Sequence, residues 1–134
     1  SYTSAWDEFA YQLKNPFGLP AFPLLYIFDL YCRIICKYSL RDASPIKAVR
    51  GAKVPILFIH GAKDALVPVK MQKELFDACP TQKEMLTVEN AVHAQSYYTD
   101  PRAYEAAAEK FINECENTEN TPALSAPGGG KQIG

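Results

Sequence analysis

Two side chains of this sequence are suited to proton-transfer chemistry, the carboxylate of Asp64 and the imidazole of His93. Each follows a predicted strand, so each is expected in a loop at the carboxyl end of a strand. Parallel strands bring these ends to one edge of a sheet, where such folds keep their ligands. A carboxylate there can orient an imidazole and stabilise its protonated form. The pair would make up two of the three groups of a nucleophilic triad.

The first strand is predicted at residues 56–59, an unbroken apolar run typical of a parallel strand covered on both faces. Gly61 ends this strand, and Asp64 follows three residues later. A second strand is predicted at residues 84–89, and His93 lies in the loop beyond its end. The two candidate residues therefore follow two consecutive strands.

Helical patterns alternate with these strands. A short helix is predicted at residues 44–51, an amphipathic helix at residues 71–79, and a third from residue 100 to about residue 116. The alternation predicts an α/β fold with a parallel sheet. Two strands leave such a sheet incomplete, so further strands are expected upstream in a parent protein or from a partner chain. Exposed apolar surface would then favour self-association of the isolated chain.

The most hydrophobic stretch lies in residues 1–43, which we assign to a helical cap or lid segment. Its apolar stripe recurs at steps of three and four, with Leu24, Ile27, Phe28, Tyr31, Ile34, Ile35 and Tyr38. Asp29, Arg33 and Lys37 fall on another face, where Asp29 and Arg33 can pair. These charges disfavour a membrane-spanning helix. Both a helix packed on the core and a lid over a pocket for an apolar acyl or aromatic group fit the pattern.

Composition narrows the possible partners and location. The 134 residues carry a formal net charge of −1 and a pI near 6.1, so no nucleic-acid partner is expected. The cysteines lack the spacing of metal ligands and are expected as reduced thiols. Reduced thiols favour a location in the cytoplasm. A segment that precedes this chain could still anchor a parent protein in a membrane. Residues 117–134 lack periodicity and predict a disordered tail. Ser1 in place of Met suggests a start inside a longer protein.

Four stretches of the sequence carry the pattern of a known family. They are Ala43-Ser44-Pro45-Ile46, Val54-Pro55-Ile56-Leu57-Phe58-Ile59-His60-Gly61, Lys63-Asp64 with Val67-Pro68, and Asn90-Ala91-Val92-His93-Ala94. With these motifs the chain resembles the α/β-hydrolases, and in particular their bacterial esterase and prolyl-oligopeptidase-like branch. The resemblance extends over residues 1–116. It implies the C-terminal part of a three-layer α/β/α hydrolase fold, with residues 44–116 as its βαβα part.

The resemblance also implies a function for the two candidate residues. Asp64 corresponds to the acid and His93 to the base of a Ser-Asp-His triad. The nucleophile motif of the family, Gly-x-Ser-x-Gly, is absent from this sequence and belongs upstream of the acid. The chain is therefore expected to be a fragment of a serine hydrolase that is inactive alone. Its expected partners are a small-molecule ester or acyl substrate and the N-terminal half of the fold, from the same gene or a partner chain.

Alternatives remain open at this point. A serine peptidase of the prolyl-oligopeptidase type would use the same triad, and a non-catalytic α/β binding domain could keep the fold. No histidine pair has metal-ligand spacing, so neither a metal nor a cofactor is expected. His60 ends a buried strand beside Gly61, and we interpret it as a structural residue that holds loop backbone.

Overall fold

The computed structural model describes residues 2–120 as a helical segment followed by a small parallel sheet with its own helices. The elements are α1 (Ala5–Lys14), α2 (Leu24–Tyr31), a π-helical turn (Cys32–Cys36), α3 (Pro45–Arg50), β1 (Ile56–Gly61), α4 (Val69–Ala78), β2 (Lys83–Val88), α5 (Ser96–Thr99) and α6 (Pro101–Asn120). This order confirms the predicted alternation of strands and helices. The π-helical turn and the single turn of α5 were not predicted.

The sheet of the described residues consists of β1 and β2, which pair in parallel with Ile56–Gly61 opposite Lys83–Val88. In the described residues, one face of β1 is buried and the other is only partly covered. Phe58 and His60 are buried, whereas Leu57 on the opposite face is only half-buried. Two strands and their helices supply too few neighbours to cover the second face.

Gln72 of helix α4 forms hydrogen bonds to both strands, and its side chain is fully buried. Its amide nitrogen donates to the carbonyl oxygens of Phe58 at 3.1 Å and Leu86 at 3.0 Å, and its Oε1 accepts from the Thr87 hydroxyl at 2.9 Å. Leu75 on the same helix joins the apolar core around Phe58. A buried amide is stable only when its polar atoms are paired, so these bonds fix α4 against both strands.

Gly61 brings the ends of the two strands into unusually close contact. A Cβ at this position would lie 2.8 Å from the carbonyl carbon of Ala91 and 2.9 Å from the carbonyl oxygen of Val92. The next residues keep the loops together, because the Ala62 amide donates to Val88 O at 2.9 Å and the Lys63 amide to Ala91 O at 3.0 Å. Only glycine fits here.

The face of α2 that packs inward is not the apolar stripe. Leu25, Asp29 and Cys32 are buried, while the seven stripe residues are 42–62% exposed. Asp29 turns inward because it accepts hydrogen bonds from the Ser39 hydroxyl at 2.8 Å and the Leu40 amide at 2.7 Å. Burial raises the pKa of its carboxyl, but these bonds and one from Arg33 outweigh that effect and lower it.

The predicted pairing of Asp29 with Arg33 is confirmed, at 2.9 Å. The helix itself is shorter than the apolar pattern suggested, because α2 gives way to the π-helical turn and ends at Lys37, whose φ of 62° is left-handed. Among the described residues, no helix is both long and apolar enough to cross a membrane. Within residues 2–120, no disulfide joins the four cysteines, Cys32, Cys36, Cys79 and Cys115.

Helix α6 ends later than predicted. It begins after Asp100, whose carboxylate accepts from the Ala103 amide at 3.0 Å, and continues to Asn120 rather than stopping near Glu116. The extra turn contains neither glycine nor proline, and the first breaker is Pro122. The remainder of the predicted tail, residues 121–134, lies outside the described residues.

The close contact at Gly61 predicts a large cost for Gly61→Ala. The added methyl group collides with the backbone of the loop that carries His93, so the free energy of unfolding should fall by about 1–3 kcal/mol. Urea denaturation monitored by circular dichroism measures this value. Gly51→Ala is the matched control, because a Cβ there meets nothing nearer than Ala48 O at 3.6 Å. Equal stabilities of the two variants would contradict the close contact.

Candidate active site

Asp64 is held in the loop after β1 by hydrogen bonds from its own loop. Its Oδ1 accepts from the backbone amides of Leu66 and Val67, each at 2.9 Å. The Asp64 amide donates in turn to Gly61 O at 3.2 Å. Asp favours such turns because its short carboxylate reaches the next backbone amides. The side chain is only 3% exposed, and its Oδ2 remains available to other residues.

His93 lies in the loop after β2. The loop begins with Ala91, which is completely buried and donates its amide to Val88 O at 3.2 Å. Ala94, directly after His93, adopts a left-handed φ of 58°, a conformation that is costly for a residue with a Cβ. This tight turn leaves the His93 side chain 49% exposed at the edge of the sheet.

The two predicted site residues are in direct contact. His93 Nδ1 lies 2.9 Å from Asp64 Oδ2, across 29 positions of sequence. They meet because β1 and β2 are parallel neighbours whose carboxyl ends reach the same edge, the arrangement expected from the sequence.

The electrostatics of the pair fix the position of one proton. Burial raises the pKa of the Asp64 carboxyl, but hydrogen bonds from the Val67 amide, His93 and the Leu66 amide outweigh it and hold the pKa below its ordinary value. Asp64 is therefore a carboxylate at neutral pH and can only accept. Nδ1 of His93 must carry the proton between them, which leaves the Nε2 of a neutral His93 as an acceptor.

His60 is buried and does not belong to the exposed pair. Its Nε2 donates to the carbonyl oxygen of Val67 at 3.0 Å, which confirms the prediction that it holds loop backbone. The same nitrogen lies 3.5 Å from Asp64 Oδ2, a contact that sequence reasoning missed. The spacing of His60 and Asp64 gave no signal for it, since strand and loop residues four apart have no fixed relation.

The arrangement can accept a proton at one exposed position and stabilise the resulting charge. Nε2 of His93 faces away from Asp64, whose carboxylate would pair with the imidazolium. Within residues 2–120, no group of three or more His, Cys, Asp or Glu side chains is placed to hold a metal ion. The chemistry available from these side chains is acid–base chemistry.

Two sequence comparisons find similar proteins. The profile of the family described as Serine hydrolase (FSH1) matches residues 34–94, a span that includes both Asp64 and His93. The chain is also 29% identical over 112 residues to the uncharacterized protein YqkD of Bacillus subtilis (strain 168). That alignment covers 84% of this chain and 37% of YqkD.

A comparison of structures identifies the fold. The chain is similar to an esterase from Pyrococcus furiosus with a TM-score of 0.51 and 19% sequence identity, over 82% of this chain and 40% of the esterase. The chain thus spans less than half the length of either protein. Its helices and small parallel sheet match the α/β-hydrolase fold of this esterase. The comparisons therefore show an α/β-hydrolase fold, together with a serine hydrolase profile that matches residues 34–94.

Proposed function

We propose that this chain supplies the acid and the base of a Ser-Asp-His triad in a serine hydrolase that cleaves carboxylic esters. One observation carries the proposal: the buried Asp64 carboxylate contacts His93 Nδ1 at 2.9 Å, while the His93 side chain is about half exposed at the strand ends. This is the geometry that a general base and its orienting acid require. The match of the serine hydrolase profile across both residues supports it further.

In the proposed mechanism, His93 Nε2 takes the proton from a serine hydroxyl as the oxygen attacks the ester carbonyl. The Asp64 carboxylate stabilises the imidazolium that forms. His93 then gives the proton to the leaving alcohol, which departs from the acyl-enzyme. A water molecule completes the cycle by the same route, with His93 again as base.

The nucleophile and the oxyanion-hole amides would come from sequence outside this chain, in the same gene or in a partner chain. The chain has no Gly-x-Ser-x-Gly motif and covers only 37% and 40% of the two proteins it resembles. The half-covered β1 and the exposed stripe of α2 are surfaces on which such a remainder could pack. We therefore propose the N-terminal half of the hydrolase fold as the principal partner.

Ester cleavage is preferred over peptide cleavage because the helical segment is strongly apolar. A cavity of about 300 Å³ between α1 and α2 is lined by Phe9, Leu13, Leu24, Leu25 and Phe28. Apolar walls of this kind suit a lid for an acyl or aromatic group better than a polar peptide backbone. The bacterial esterase and prolyl-oligopeptidase-like branch remains our proposed subgroup, with the cytoplasm as the proposed location.

A second candidate function is a non-catalytic α/β domain that retains the hydrolase fold. The absence of a nucleophile motif from this sequence is the observation that favours it. The two candidates differ in the parent protein, because only the enzyme requires a nucleophile elbow upstream of Asp64.

The triad proposal predicts large and unequal kinetic losses in the longer protein that contains this chain. His93→Ala removes the general base and should lower kcat by about 10⁶. Asp64→Asn keeps the shape but favours the wrong imidazole tautomer, so kcat should fall by about 10⁴. Hydrolysis of an activated aryl ester, followed at saturating substrate, measures both effects.

Asp77→Asn is the matched control for the charge change. Asp77 is exposed on α4 and pairs with Lys73 on the same helix, so turnover should stay within about twofold of wild type. A folded His93→Ala variant with near-full turnover would refute the assignment of the base.

The isolated chain should be inactive on the same esters and should self-associate. Its stripe residues expose apolar surface that water disfavours. Light scattering after size-exclusion chromatography measures the mass of the isolated chain. The substitution Ile27→Lys should shift the population toward monomer. Asn113→Lys adds the same charge at an exposed site on α6 and should leave the mass unchanged. A wild-type monomer that melts cooperatively would contradict this prediction.

A further inference from the structure

The buried imidazole of His60 lies beside the carboxylate that the proposed mechanism uses, but it has no role in that mechanism. His60 is the penultimate residue of β1 and is only 5% exposed. Both polar atoms near its Nε2 are acceptors: the Val67 carbonyl oxygen at 3.0 Å and Asp64 Oδ2 at 3.5 Å. Nε2 must therefore carry the proton that the Val67 carbonyl oxygen accepts, and Asp64 Oδ2 lies near the same nitrogen at the longer distance.

A continuous path of hydrogen bonds connects His60 to His93. His60 holds the carbonyl group of Val67, and the amide of the same residue donates to Asp64 Oδ1 at 2.9 Å. The other oxygen of Asp64 meets His93 Nδ1 at 2.9 Å. Val67 is itself 2% exposed, so its carbonyl group has no water to replace a lost donor. A shift of Val67 would therefore rotate the carboxylate on which His93 depends.

We propose that His60 is a positioning residue for the Asp64–His93 pair, and that it acts through Val67 and through its own contact with Asp64 Oδ2. The inference rests on the proposed function for its consequence in catalysis, but not for its geometry. His60 holds the turn at residues 64–67 against β1 and keeps Oδ2 directed toward His93. A residue that only stabilised the fold would leave this orientation unchanged when replaced.

Two substitutions of His60 distinguish the effect of its hydrogen-bond donor from the effect of its side-chain volume. In His60→Gln, the amide nitrogen reaches about as far as the imidazole Nε2 and can still donate to Val67 O. In His60→Leu, a side chain of similar size fills the buried site without a donor. If His60→Leu does not fold, His60→Asn takes its place, because its amide corresponds to the Nδ1 position and falls short of Val67.

The first measurement does not depend on activity. Imidazole ¹H–¹⁵N spectra of the longer protein show the Nδ1 proton of His93 as a downfield signal when it is bonded to Asp64, and His93→Ala identifies that signal. We expect His60→Gln to retain the signal and His60→Leu to lose it. If a folded His60→Leu or His60→Asn variant keeps the signal unchanged, His60 is only a structural residue and the inference is overturned.

The second measurement is of kcat and KM separately, with an activated aryl ester as substrate. A misplaced acid slows the proton transfer without weakening substrate binding, so kcat of His60→Leu should fall about tenfold to a hundredfold at unchanged KM. His60→Gln should stay within about threefold of wild type. Unchanged kcat in folded His60→Leu would overturn the inference. If wild type shows no turnover while the His93 signal still depends on the donor at position 60, the proposed function fails and the positioning role stands.

Discussion

The candidate site depends on one buried carboxylate that serves two loops at the same time. Asp64 uses Oδ1 to close its own turn through the Leu66 and Val67 amides, and Oδ2 to reach His93 in the loop after the neighbouring strand. Because the carboxylate is ionised and hardly exposed, loss of one of these donors would leave a buried oxygen without a partner. Gly61 makes the arrangement possible, since a side chain there would force the two loops apart.

The parts of this site that could be predicted follow from short-range patterns. An unbroken apolar run, a glycine and an acid three residues later place Asp64 at a strand end, and His93 follows a second strand candidate at residues 84–89. Parallel pairing then brings them to one edge. The contact between His60 and Asp64 could not be predicted, because it depends on how the loop folds back on β1.

The cap segment shows where periodicity alone fails. The stripe of α2 predicts an inward apolar face, but the buried face contains Asp29, whose partners Ser39 and Leu40 lie ten and eleven residues further along the chain. Such a network outweighs the local pattern because a buried carboxylate requires partners. The late end of α6 has a simpler cause, since composition suggested a tail where no helix breaker occurs before Pro122.

The two-stranded sheet of the described residues, the exposed stripe and the absence of a nucleophile motif support our proposal that this chain contributes the acid and base of a larger hydrolase. A fluorophosphonate probe tests this account most directly, because it forms a covalent bond with an activated serine and releases fluoride. Mass spectrometry of the labelled longer protein identifies the modified residue. The account predicts one labelled serine in a Gly-x-Ser-x-Gly motif upstream of this chain, with labelling abolished by His93→Ala. Labelling of a serine within this chain, or labelling that persists without His93, would contradict it.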